Sequence, residues 1–209
     1  TKEASRFLGA NTDVAMRSME ESEYLRPWSM PPDNSEDDIQ IAQLESDYEY
    51  QYRIGLGERY GKLLQSMSGI HYNFELGKDL TLQIFESSEV SYFVAFKNTL
   101  YLKLAQNFLN YRWLLTYLYG ASSLAEKGFL SEEVGCVRSI RNSKHGYVNA
   151  EDVHISFSSL EQYVADIEQA VQSGQLSAEK EFYSSVRLRG AKTSRDFLSK
   201  GISYLEFRT

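Results

Sequence analysis

The chain has 209 residues, of which 42% are hydrophobic, 24% charged and 13% aromatic. These fractions are typical of a folded globular chain and exclude the disordered, collagen-like and coiled-coil classes. The formal net charge is −7 and the sequence contains no long basic block, which argues against a protein that binds nucleic acid by neutralising phosphates. A single cysteine, Cys136, excludes an intramolecular disulfide framework and a multi-cysteine zinc site.

The termini and the apolar stretches point to a cytoplasmic protein without a membrane partner. The first ten residues are charged and lack an apolar segment, which argues against a signal peptide. The chain begins without methionine, so we expect a processed or excised piece of something longer. The most apolar stretch, residues 92–119, is interrupted by polar side chains too often for a bilayer span of about 20 apolar residues. The length favours one domain over residues 1–209.

The first third of the chain is predicted to form a helix followed by a turn-rich segment. Residues 11–24 predict a short helix, and all three prolines follow in a turn-rich passage. An acidic run comes next, formed by Asp33, Glu36, Asp37 and Asp38. It could hold a cation, but we favour a solvated turn because such clusters usually lie at the surface.

The hydrophobic period changes after residue 64. Residues 46–64 have helical spacing, whereas residues 65–76 alternate strictly and predict a strand. A period of two places His71 and Asn73 on the same face, about 7 Å apart. The opposite face becomes apolar towards its end and can pack on helices.

Two more helices are predicted in the second half of the chain. Residues 90–119 form a long helical pattern, which we expect Gly120 to end in a left-handed conformation. A later helix is predicted to open with a capping box from Ser158 to Glu161 and to stop at Gly174.

Residues 201–209 read as a second alternating strand, with Glu206 and Arg208 on one face. Long helices combined with alternating strands, without a regular βαβ rhythm, predict an α+β fold with a mainly antiparallel sheet.

The common phosphate, dinucleotide and zinc motifs are missing from the sequence. The chemistry-bearing residues that remain lie on the two predicted strands: His71, Asn73, Glu206 and Arg208. If both strands belong to one sheet, these side chains converge and suit Mg²⁺ with a polyphosphate, the carboxylate binding the cation and the guanidinium binding phosphate. The alternative is that they are ordinary strand residues facing water. The 15 tyrosines could likewise line a polar pocket or lie at the edge of the hydrophobic core.

Taken in order, seven strings resemble the bacterial glutamate–cysteine ligase family, particularly the ligase module of bifunctional glutathione synthases. They are SMPP (29–32), YR-x-GL-x-x-RYG (52–61), SGIHYNFEL (68–76), YLYGAS (117–122), RSIRNSKHGYVN (138–149), EFYSSVR (181–187) and GISYLEFR (201–208). The resemblance implies the central part of a glutamine-synthetase-like ligase core, with a curved sheet lined by helices. It also implies an enzyme that uses ATP and Mg²⁺ to join the γ-carboxyl of glutamate to the amine of cysteine through a γ-glutamyl phosphate.

The same resemblance implies roles for individual residues. His71 and Glu206 would bind magnesium, while Asn73 and Arg208 would face the ATP phosphates. Arg141 would bind glutamate beside the backbone from Met67 to Ile70. Arg187 would act near a mobile substrate loop at residues 190–201, and the cysteine pocket would be shaped by Tyr52, Arg53, Tyr147 and Tyr183.

The chain also departs from the family pattern. Ser123 and Ser185 stand where the family usually has proline, and the family's upstream carboxylates have no equivalent in this sequence. We therefore expect the 209 residues alone to form little γ-glutamylcysteine. Two alternatives stay open: a ligase-like module that has lost catalysis, and a carboxylate–amine ligase with another amine substrate. A fused glutathione synthase module is a further possible partner.

Overall fold

A computed structural model describes residues 2–33, 35–130 and 135–208 of the chain. Within these ranges the α-helices are α1 (Lys2–Ser18), α2 (Asp47–Tyr60), α3 (Lys62–Gln65), α4 (Lys78–Glu86), α5 (Phe93–Tyr119), α6 (Leu160–Gln172) and α7 (Asp196–Lys200). The strands are β1 (His71–Phe74), β2 (Val186–Arg189) and β3 (Tyr204–Arg208). Short 3-10 turns lie at Glu36–Asp38 and Glu179–Glu181.

The three strands form one antiparallel sheet in the order β1-β3-β2, which confirms the predicted α+β class. In the register of the sheet, Glu206 on the central strand lies opposite Asn73 on one side and Arg187 on the other. Because side chains alternate along a strand, these three residues share one face. Leu205 points to the opposite face and is fully buried.

The hydrophobic core lies between that second face of the sheet and helices α5 and α6. Its members include Tyr101, Leu102 and Ala105 of α5, Leu160, Val164 and Ile167 of α6, and Val186, Leu188 and Leu205 of the sheet. Burial of this layer fixes the orientation of the sheet, since a register slip of one residue would move the apolar set into water. The polar face is thereby directed away from the core.

Both predicted strands are shorter in the structure than in the sequence pattern. Gln65 ends α3 and a loop follows, so β1 begins only at His71. In that loop the Met67 carbonyl and the Ser68 amide bond to other parts of the chain, which competes with strand pairing. The second strand begins at Tyr204, and residue 209 lies outside the described residues.

Several helix boundaries also differ from the predictions. The first helix spans Lys2–Ser18 rather than residues 11–24, and Glu20 and Glu23 form a turn in which the Glu23 amide donates to the Glu20 carbonyl at 3.0 Å. The N-cap of α6 is Ser159, whose hydroxyl accepts from the Gln162 amide at 3.1 Å, so Ser158 does not cap this helix.

Gly120 ends α5 as expected but with a φ of −60°, so the left-handed prediction was wrong. The glycine is needed for space instead. A Cβ there would overlap the Thr116 carbonyl oxygen and lie 2.8 Å from the Arg138 carbonyl oxygen.

The acidic run forms a capped turn at the surface. The Asp38 carboxylate accepts from the Ser35 amide at 2.9 Å and from its hydroxyl at 2.7 Å, and those bonds lower its pKa. The described part of the chain contains no cluster of three or more potential metal-ligating side chains.

The interval 190–201 contains α7 rather than an uninterrupted loop. Ser194 attaches it to the preceding segment, with its amide 2.7 Å from a Glu179 carboxylate oxygen. None of the helices in the described ranges combines the length and apolar character that crossing a bilayer requires.

Candidate functional site

A cavity of about 480 Å³ opens between α2, the loop before β1 and the segment around residues 180–187. Its walls include nine of the residues singled out in the sequence: Tyr52, Arg53, Met67, His71, Arg141, Tyr147, Tyr183, Arg187 and Arg208. The structure therefore brings together side chains from five separate stretches of the chain. Asn73 and Glu206 are on the adjoining sheet face, whereas Ile70 points outward and is 75% exposed.

The cavity carries an excess of positive charge. Its lining carboxylates are already paired, Glu49 with Lys180 and Glu181 with Arg59. Among the described residues no carboxylate lies within salt-bridge distance of Arg53, Arg141 or Arg187. Such a lining suits an anionic ligand.

Two of the cavity arginines also repel one another. Burial lowers the pKa of Arg187, and the charges of Arg189 and Arg208 lower it further. A bound carboxylate or phosphate would relieve this repulsion, because each guanidinium presents several donors to anionic oxygens.

Arg141 lines the cavity and carries one donor atom without a partner. The residue is only 7% exposed, and its Nη1 donates to the Met67 carbonyl at 3.1 Å. Its Nε is buried without a hydrogen-bond partner. A buried charged donor left unpaired is costly, so this atom favours a ligand oxygen.

The loop that holds Arg141 turns back on itself at Gly146. A Cβ on Gly146 would overlap the Arg141 carbonyl oxygen and lie 3.0 Å from its Cα, so no other residue fits without a shift of the loop. The Ser143 amide donates to the Ile140 carbonyl and the Gly146 amide to the Ser143 carbonyl, each at 3.1 Å. This tight turn fixes the backbone of the buried arginine.

On the sheet face beside the cavity, His71 and Glu206 contact each other. His71 Nδ1 lies 3.0 Å from Glu206 Oε1, and Arg208 Nε donates to His71 Nε2 at 3.3 Å. The other Glu206 oxygen, Oε2, accepts from Arg189 Nε at 2.5 Å. Burial and the charge of Arg208 lower the pKa of His71, although Glu206 opposes this effect. The imidazole is therefore neutral at pH 7, with the proton on Nδ1 as these bonds assign it.

The donor set of His71 and Glu206 fits a magnesium ion only if other ligands complete it. The described residues supply no third His, Cys, Asp or Glu close enough to form a protein cage. Mg²⁺ is often bound by one or two carboxylates with water and substrate phosphates, and such a set needs no more than Glu206 from this face. Arg208 lies beside this pair, with its Nε 3.8 Å from Glu206 Oε1.

Aromatic rings form part of the cavity wall. Tyr147 packs edge-on against Tyr183, with ring centroids 5.2 Å apart, and against Tyr60 at 4.8 Å. Burial raises the pKa of Tyr52 to about 12 and also raises that of Tyr147. These phenols keep their protons at neutral pH and can donate hydrogen bonds to a ligand.

Three residues near the cavity were missed in the sequence: Lys180, Glu181 and Arg189. Lys180 lies 4.0 Å from the centre of the Tyr52 ring and pairs with Glu49 at 2.6 Å. The alternation Val-Arg-Leu-Arg could have indicated that Arg189 shares a face with Arg187. Glu181 gave no such signal, because its partners lie far away in the sequence.

Arg208 also borders a second cavity of about 290 Å³, on the side of α5. Arg112, Trp113 and Arg138 are among its lining residues. Arg138 donates from Nε to the Tyr117 carbonyl at 3.0 Å, so its guanidinium is partly satisfied within the protein.

Comparison with known proteins places this geometry in a family. A glutathione biosynthesis bifunctional protein of Streptococcus mutans is 65% identical over the whole chain, which spans 28% of that relative's length. A crystal structure of a bifunctional glutathione synthetase from Pasteurella multocida superposes with a TM-score of 0.86 at 47% identity, covering 94% of this chain and 26% of that one. A glutamate–cysteine ligase of Francisella tularensis, solved in complex with AMP, gives a TM-score of 0.79 at 29% identity, covering 91% of this chain and 46% of that one.

The model of the glutamate–cysteine ligase family matches residues 1–209. The chain belongs to the glutamate–cysteine ligase family.

Proposed function

We propose that this chain is the central part of a glutamate–cysteine ligase catalytic region, acting as one domain over residues 1–209. The enzyme would consume ATP to join the γ-carboxyl of glutamate to the amine of cysteine, the first step of glutathione synthesis. The observation that carries the proposal is the cationic cavity with a buried, unpartnered Arg141 Nε beside the His71–Glu206 pair, in a member of this family.

Arg141 would bind the substrate glutamate. Its Nη1 is already held by the Met67 carbonyl, so the guanidinium is oriented while Nε stays available to a carboxylate oxygen. Arg187, which has no carboxylate partner among the described residues, would neutralise the negative charge that develops at the reacting γ-carboxyl.

Arg208 would bind the nucleotide phosphates, with Asn73 as a second donor on the same face. Glu206 and His71 would hold Mg²⁺, which would neutralise negative charge on those phosphates. The carboxylate of Glu206 is held by Arg189 at Oε2 and by His71 at Oε1, so both oxygens are oriented before any ligand arrives.

Tyr52, Arg53, Tyr147 and Tyr183 would form the cysteine pocket on the opposite wall. Neutral phenols and one guanidinium can orient the α-carboxylate and the thiol of an amino acid through hydrogen bonds. ATP would first transfer its γ-phosphoryl group to the γ-carboxylate of glutamate and leave as ADP. The neutral amine of cysteine would then attack the γ-carbonyl carbon, so that the C–N bond forms, the C–O bond to phosphate breaks and the amine proton is released to water or to the departing phosphate.

The relatives of the chain extend the proposal to a second, fused module. Its curated relatives are bifunctional proteins, so a fused glutathione synthase module would use the dipeptide product. A cytoplasmic location would supply ATP and reduced cysteine.

The proposal is tested by ADP release from the full-length protein with ATP, Mg²⁺, glutamate and a panel of amines. Release that requires glutamate and is fastest with cysteine supports it. Release that is fastest with another amine would favour a different carboxylate–amine ligase.

A second candidate is a ligase-like module without catalysis. The specific observation for it is the small number of metal-ligating side chains near Glu206 in the described ranges. Binding of ATP and Mg²⁺ without any turnover by the full-length protein would favour this candidate.

A further inference from the structure

Glu181 is the most completely buried carboxylate beside the cavity. The residue is 2% exposed. Its Oε1 accepts from Arg59 Nη1 at 2.8 Å and from the Tyr60 hydroxyl at 2.6 Å, and its Oε2 accepts from the Ser177 amide at 2.6 Å. Burial acts to raise the pKa of Glu181, but these hydrogen bonds and the charge of Arg59 outweigh it, so the pKa is lowered. Glu181 is therefore ionised and fully bonded at pH 7.

The partners of Glu181 connect it to the tyrosines that line the cavity. Asn149 Nδ2 donates to the Tyr60 hydroxyl at 3.4 Å and to the Glu181 carbonyl at 3.3 Å. Asn149 Oδ1 accepts from the backbone N–H of Tyr183 at 2.5 Å. The Tyr60 ring packs on Tyr147, which packs on Tyr183. The Glu181 carboxylate thus fixes Tyr60 directly and, through Tyr60, also Tyr147 and Tyr183.

The same carboxylate also attaches α2 to the body of the molecule. Arg59 and Tyr60 form the last turn of α2, and Tyr52 and Arg53 lie two turns earlier on the same helix. The attachment at the other end of α2 is the pair between Glu49 and Lys180, whose side chains are both partly exposed. Because exposed ion pairs contribute little, the bonds to Glu181 are the stronger attachment.

We propose that Glu181 is a positioning residue for the amine side of the cavity, an inference that rests on the proposed ligase function. It fixes the tyrosine wall and the α2 residues that would form the cysteine pocket. Among the described residues it forms no hydrogen bond or ion pair with Arg141, whose Nη1 donates to the Met67 carbonyl. Loss of the carboxylate should therefore weaken use of the amine substrate and leave glutamate recognition nearly unchanged.

The kinetic test compares Glu181→Gln and Glu181→Ala with wild type in the full-length protein. We expect the KM for cysteine to rise about tenfold with alanine and less with glutamine, which can still accept from Tyr60, while the KM for glutamate changes less than about twofold. Tyr60→Phe, which removes only the hydroxyl that bonds to Glu181, should also raise the KM for cysteine. The matched control is Glu168→Gln on α6. It breaks the exposed ion pair between Glu168 and Arg195 and should change neither the KM for cysteine nor the KM for glutamate. Equal rises in both KM values would overturn the proposal.

A second measurement separates this inference from the ligase function. A fluorinated tyrosine placed at position 183 reports the packing of the wall by fluorine NMR, with or without turnover. We expect its resonance to shift or broaden in Glu181→Ala, to change less in Glu181→Gln and to stay unchanged in Glu168→Gln. An unchanged resonance in both Glu181 variants would overturn the positioning role. Absence of ligation by the wild type would count against the proposed function alone.

Discussion

The Nδ1 atom of His71 lies 3.0 Å from Oε1 of Glu206, across the pairing of β1 with β3. The two residues are far apart in the sequence, and the antiparallel register brings them to one face of the sheet. Their position beside a cationic cavity explains why a buried carboxylate is tolerated there, since Arg189 and Arg208 offset its charge.

Glu206→Gln should weaken magnesium-dependent nucleotide binding at least about tenfold, because an amide oxygen is a poorer ligand for a hard cation than a carboxylate. The measurement is a titration of the full-length protein with ATP in the presence of Mg²⁺ and again in the presence of a chelator. Affinity without the metal should change little. The metal-ligand assignment would be wrong if Glu206→Gln bound Mg²⁺–ATP as tightly as wild type.

Arg141→Lys should raise the KM for glutamate about ten- to hundredfold, since lysine keeps the charge but loses at least one charge-assisted hydrogen bond. Steady-state kinetics at saturating ATP and cysteine measures this change. The control is Arg138→Lys, the same substitution three residues earlier at the second cavity, where the glutamate KM should stay within about twofold. A glutamate KM that Arg141→Lys leaves unchanged would remove Arg141 from the site.

The stability of the protein should depend on Glu181 in a pH-dependent way. The folded-state pKa of Glu181 lies below its ordinary value of 4.5, so its bonds stabilise the protein above that value and are lost as the pH falls through the lower folded pKa. Glu181→Gln should therefore be less stable than wild type at pH 7 by about 1–3 kcal/mol. The difference should narrow once the pH falls below the ordinary value. Urea unfolding of both proteins from pH 7 to below pH 4.5 measures this difference in stability. A difference that stays constant with pH would contradict the prediction.

Leu205→Ala should lower the free energy of unfolding by about 2–5 kcal/mol, because it opens a cavity in a fully buried position of the central strand. Leu198→Ala, the same substitution at a partly exposed position on α7, should cost less than about 1 kcal/mol. Denaturant unfolding measures both values. Equal effects would mean that the apolar face of β3 does not pack as described.

The sequence predicted the polar face of the sheet because side-chain alternation is a local property. His71 with Asn73, and Glu206 with Arg208, were each assigned to one face, and the structure places all four together. The strand lengths were overpredicted, since alternation extends into residues 65–70, where α3 and loop hydrogen bonds prevail. Strand β2 is only four residues long and was not distinguished from its flanking loops.

Other features of the site depend on contacts that a sequence pattern does not contain. The role of Glu181 arises from α2 and the 3-10 turn meeting in space, and neither segment indicates the other. Ile70 was assigned for its backbone, through the family resemblance, and its side chain is 75% exposed. The shift of the α6 cap from Ser158 to Ser159 reflects a choice between adjacent serines that local chemistry leaves equivalent.

The most direct test of the proposed reaction follows one oxygen atom. Full-length protein is given ATP, Mg²⁺, cysteine and glutamate whose γ-carboxylate carries a heavy oxygen isotope, and the released phosphate is analysed by mass spectrometry. If the γ-carboxylate is phosphorylated and then attacked by the amine, each phosphate leaves with one labelled oxygen and one γ-glutamyl amide forms with it. Unlabelled phosphate, or labelled phosphate without the amide, would contradict the account.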